Sequence, residues 1–95
     1  MNVVRITLRD YRGGREGLGG YSNDYEDTIL GTVTASPPNH AFQEAFRNYE
    51  QQNVDMKYRL PFKEFKEQFK ETSKTERTAN FGLGFSYILT KEKVT

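Results

Sequence analysis

Apolar and polar positions alternate along the last third of the chain. Over residues 78–90, Phe81, Leu83, Phe85, Tyr87 and Leu89 fall on one side. Thr78, Asn80, Gly82, Gly84, Ser86 and Thr90 fall on the other, and Ile88 is the exception. A period of two belongs to a β-strand with one buried and one polar face. The same period runs over residues 2–9, where Val4, Ile6 and Leu8 oppose Val3, Arg5, Thr7 and Arg9. It recurs over residues 28–35. There Ile29, Val33 and Ala35 share a face with Gly31, and Thr28, Thr32 and Thr34 share the other with Leu30.

Between these segments the period lengthens. Phe42, Ala45, Phe46 and Tyr49 follow the i, i+3, i+4, i+7 spacing of an amphipathic helix over residues 38–52. Ser36-Pro37-Pro38-Asn39 ends the preceding strand and opens that helix, with Ser or Asn as cap. A second helix is expected over residues 61–73, with Phe62, Phe65 and Phe69 inward. Lys63, Lys66, Lys70 and Lys74 form a neighbouring stripe, and Glu64, Glu67 and Glu71 lie opposite. Residues 53–59 are a connection or a short extra strand. Residues 10–27 carry glycines and tyrosines without periodicity and are expected to form a flexible loop. Residues 91–95 are expected to be a loose tail.

The order β-β-α-α-β predicts one α+β domain over residues 1–95. Its expected form is a two-layer sandwich: a three-stranded, partly antiparallel sheet with two helices on one face. Phe42, Phe46, Phe62, Phe65, Phe69 and Phe85 are expected to centre the core.

Composition narrows the chemistry. The 95 residues are 35% hydrophobic and 28% charged, with seven Phe, six Tyr and no Cys or Trp. Aromatics compensate for the low apolar content. Without cysteine there is no disulfide, thiolate metal site or thiol nucleophile. No run is long and apolar enough for a bilayer span, and the charged N-terminal strand is unlike a signal peptide, so a cytoplasmic location is expected. The net charge of +1 gives no global attraction to nucleic acid. Its order along the chain is nevertheless basic, then acidic, then basic.

Catalytic signals are weak. Glycines from Gly13 to Gly20, with Arg12 and Arg15 nearby, suit an anion, but no Gly-Lys-Ser/Thr follows. His40 is the only histidine and lies off the buried helical stripe. Asp24, Glu26 and Asp27 do not have EF-hand spacing. No serine lies in a Gly-x-Ser-x-Gly setting. No pair of groups suited to acid–base or nucleophilic work emerges. The expectation is a non-enzyme without cofactor, metal or small-molecule substrate.

Binding is the function left. The favoured partner is another protein, or a second copy in a homodimer. The expected contacts are Tyr11, Arg12, Arg15, Tyr21 and Tyr25 from the loop, with Gly82 and Gly84 as a flat strip on the last strand. Open sheet edges add to this expectation. The alternative is RNA or DNA held by Arg5 and Arg9 on the polar sheet face and by Lys63, Lys66, Lys70 and Lys74. A small chain with so little chemistry suits a phage or mobile-element accessory that inhibits a host factor such as a defence nuclease.

Overall fold

The structure, a computed structural model, describes residues 2–11, 25–52, 54–82 and 84–93. The chain runs β1 (Asn2–Tyr11), β2 (Tyr25–Thr34), α1 (His40–Gln51), α2 (Phe62–Glu67), β3 (Phe69–Glu71), β4 (Glu76–Asn80) and β5 (Phe85–Lys93). A 3-10 turn at Met56–Tyr58 lies between the helices. The strands form one five-stranded sheet in the order β2-β1-β5-β4-β3, antiparallel throughout. The expected α+β class holds, but the sheet has five strands rather than three.

Two local events account for the extra strands. The expected single strand over residues 78–90 reverses after Asn80 and returns as β5. Gly82 and Gly84 have φ of +71° and +88°, a region that side chains with a Cβ rarely enter. The second helix stops at Glu67, not near residue 73, and Phe69–Glu71 pairs with β4. The Ser73 hydroxyl closes that hairpin by accepting the amides of Thr75 and Glu76.

A bulge corrects the expected faces of β2. Ile6 pairs with Gly31 while Thr7 pairs with Ile29, so Leu30 is the extra residue. One inserted residue flips the side chains beyond it. Leu30, Val33 and Ala35 pack toward the core, and Ile29, expected on the face of Val33 and Ala35, stands on the outer face at 62% exposure.

The inner face carries Val4, Ile6, Phe85, Tyr87 and Leu89, covered by Ala41, Ala45 and Tyr49 of α1 and Phe65 of α2. Phe42, Phe46, Phe62, Phe69 and Phe81 pack around them half-buried. The arrangement differs from the expected two-layer sandwich: α1 has twelve residues and α2 only six. Asn39 precedes α1 without a side-chain cap, contrary to expectation. The Thr34 hydroxyl instead meets Ser36 O and lies 3.2 Å from His40 Nδ1. No described helix is long and apolar enough to cross a membrane.

Phe65→Ala should destabilise the domain by about 3–5 kcal/mol, because it empties the middle of the ring cluster. Gly82→Ala meets no atom within 4 Å of the added Cβ, so only backbone strain remains. Its loss should be about 1–2 kcal/mol. Urea unfolding with an unchanged m-value checks both.

Candidate interaction surface

Cross-strand register places Tyr11 opposite Tyr25 and Arg9 opposite Asp27, at the end of β1 and the start of β2. Residues 10, 11 and 25–27, expected in the loop, are thus paired strand. Arg9 shares the outer face with Arg5 and Thr7, because alternate residues of a strand point the same way. Its Nε donates to Asp27 Oδ1 at 2.8 Å and its Nη2 to Oδ2 at 2.9 Å. The guanidinium lies 4.0 Å over the Tyr25 ring, and Tyr11 meets Tyr25 edge-on at 5.9 Å. These contacts form one cluster in which an arginine is clamped by a carboxylate and a ring.

The clamp polarises both charges. The hydrogen bond to Asp27 raises the Arg9 pKa above its ordinary value, and burial opposes it only in part. The same bond from Arg9 holds the Asp27 carboxyl below the usual carboxylate range. Arg5 Nη2 is paired with Glu92 Oε1 at 2.7 Å. Both arginines expected to face phosphates are therefore partnered by carboxylates of the same face.

The lysines do not make one stripe. Lys63 and Lys66 lie on α2, and Lys66 Nζ sits 5.0 Å over the Phe62 ring. Lys70 lies on β3 opposite Thr78, and Lys74 is in the following turn. Ending the helix at Glu67 sends the last two away from the first two.

Gly82 and Gly84 are also relocated. They belong to the β4–β5 reversal rather than to a flat strip, and Gly84 is buried. The middle of the outer face is closed as well: Thr7, Ser86 and Ile88 are all buried. Its exposed apolar part lies along β2, at Tyr25 (44% exposed) and Ile29. Tyr11 and Tyr25 are thus brought together with Arg9. Arg12, Arg15 and Tyr21 lie outside the described residues.

Sequence reasoning missed Asp27 and Ile29 as surface partners. Both required knowledge of the bulge: the register at Val33 carried straight back along β2 puts Thr28 opposite Arg9, and the residue inserted at Leu30 brings Asp27 there instead. Met56 and Tyr58 were missed too, and both are exposed. A cleft of about 270 Å³ opens between α1 and the sheet, with Asn2, Val4, Phe42, Arg77 and Lys91 in its lining. Among the described residues, no group of three or more His, Cys, Asp or Glu is placed to hold a metal ion. No family model matches the chain, and no curated protein or solved structure shows significant similarity to it.

Asp27→Asn tests the clamp. The depressed carboxyl stabilises the fold above its unfolded pKa of about 3.9, and the effect fades as pH falls through the lower folded value. The variant should be less stable at neutral pH by under about 1 kcal/mol, since solvent screens a pair this exposed. The gap between the two proteins should close at about pH 2, read by urea unfolding at both pH values.

Proposed function

We propose that this chain is a non-catalytic protein-binding module that docks its partner along the β2 side of the sheet. An accessory that blocks a host factor would act in this way. The observation that carries the reading is the pairing of Arg5 and Arg9 with Glu92 and Asp27 beside exposed Tyr25 and Ile29. Neutralised arginines contribute little to phosphate binding, whereas an exposed aromatic and a β-branched side chain are suited to a protein contact. The edge position supports the same reading. β2 is ten residues long, contains no Lys or Pro, and among the described residues has β1 on one side only. An open edge of this kind accepts a partner strand, although the bulge at Leu30 limits the straight length on offer.

The test is capture of a partner from the native host, repeated with Tyr25→Ala and Ile29→Asp. Each should weaken capture at least tenfold, and binding should persist at moderate salt. Light scattering on the purified chain separates self-association from a foreign partner. Steeply salt-dependent oligonucleotide binding that Arg5→Glu and Arg9→Glu abolish would replace this reading with the nucleic-acid one.

A further inference from the structure

We propose that the cleft between α1 and the sheet binds a small organic carboxylate: one carboxyl group on an aromatic or branched aliphatic body. The cleft has a volume of about 270 Å³ and opens on the inner face, beside the end of β5. Tyr25 and Ile29 stand on the opposite face, so this site is separate from the docking surface along β2.

Strand register brings charge and apolar surface together there. Phe85, Tyr87, Leu89 and Lys91 alternate along β5 and so share the inner face. The first three are buried, and Lys91, last in the row, is exposed. Arg77 of β4 stands opposite Leu89, and Val4 of β1 stands opposite Lys91. Both cations line the cleft with Val4 and Leu89, and Ala41 and Phe42 of α1 form the facing wall. Arg77 and Lys91 are diagonal neighbours across the two strands. Such positions lie about 7–8 Å apart, close enough for two long side chains to reach one carboxylate.

The carboxylates next to these cations in sequence are turned away. Glu76 stands opposite Thr90 on the outer face, and Glu92 meets Arg5 there. Glu71, opposite Arg77 on β3, is the exception. Its Oε1 lies 3.5 Å from Arg77 Nη2, and its side chain is 74% exposed. A charge-assisted hydrogen bond spans about 2.7–2.9 Å, and an exposed pair contributes little. A ligand carboxylate can therefore displace Glu71 at small cost. Among the described residues, Lys91 Nζ meets no carboxylate.

Size and charge define the ligand. A cavity of roughly 150 Å³ already admits a benzene ring, so this cleft holds a ring and a short arm carrying the carboxyl group. Phe42 offers an aromatic wall, and its edge-on contact with Phe69 at 5.2 Å fixes that ring in place. Arg77 and Lys91 against Glu71 leave one positive charge in excess. That balance suits a monoanion rather than a phosphate group, which carries nearly two negative charges. The flat guanidinium of Arg77 matches a carboxylate through two parallel N–H bonds, and Lys91 adds a point charge.

The experiment follows backbone amide shifts of the isotope-labelled full chain during titration with phenylpropionate, phenylpropionamide and inorganic phosphate. Phenylpropionate should give saturable shifts centred on Arg77, Leu89 and Lys91. The neutral amide, of the same shape, should bind at least tenfold more weakly. Arg77→Gln and Lys91→Gln should each weaken the acid at least tenfold, and Glu71→Gln should tighten it by removing the competing carboxylate. Lys91 is exposed, so its variant keeps the test open if Arg77→Gln unfolds. Ile29→Asp should leave the titration unchanged, so this site and the β2 surface can fail separately. The proposal is overturned by the absence of saturable shifts in the millimolar range, by equal binding of acid and amide, or by unchanged binding in Lys91→Gln. Phosphate binding as tightly at the same amides would mark a general anion site and overturn it as well.

Discussion

The ring of Phe65 is the contact on which the rest of the fold depends. It stacks on Phe81 at 5.4 Å with an interplanar angle of 11°, and lies 5.0 Å from Tyr49 and 5.9 Å from Tyr87. Phe46 and Phe69 meet it edge-on at 5.1 and 5.4 Å. One side chain therefore joins both helices to β3, to the β4–β5 reversal and to β5. In a chain with few aliphatic residues, this density of rings supplies the buried area that a small domain needs. Two of the rings bring hydroxyls with them. Tyr87 donates to Asn48 Oδ1 at 2.6 Å, and Tyr49 accepts from Leu60 N, so neither buried oxygen is left unpaired. Burial raises the Tyr87 pKa well above its ordinary value and keeps the phenol neutral.

Concentrating most large rings on one sheet face leaves the other to small, β-branched and charged residues, with Tyr11 and Tyr25 at its β1–β2 end. Their charges are settled across strands. Arg5 and Arg9 meet carboxylates from β5 and β2, so the basic charge of β1 is offset on this face by acidic partners from its neighbouring strands. Arg5 and Arg9 thus each have a carboxylate partner on the sheet. Among the described residues, the large exposed apolar side chains lie on β2 and on the turn before α2.

Several expectations failed for one shared reason. Phe81, Phe85, Tyr87 and Leu89 were expected on a common inward face, and all four do pack there. Yet Phe81 lies in the reversal itself, and the other three stand on β5 after it. Four residues lie between β4 and β5, an even number, so the alternation passes through the turn without a visible break. The glycines that make the reversal occupy polar slots of the pattern and read equally well as strand residues. At Gln68 a helical stripe gives way to a strand pair while Phe69 stays inward, because position 69 suits both periods. At Leu30 the inserted residue reverses the face of Ile29, and a stretch rich in threonine gives no warning of it.

The sequence by itself determined most of the side chains that go inside, because the side-chain period is a local property of each segment; Ile29, beyond the bulge, is an exception. It also determined the α+β class and the place of α1. Only the tertiary structure decided the number of strands, the bulge in β2, and which carboxylate each arginine meets. Those depend on residues eighteen positions apart, as in Arg9 and Asp27, or at opposite ends of the chain, as in Arg5 and Glu92. Chain reversal and ion pairing are set by what the folded sheet brings alongside, and no spacing within a single segment records it.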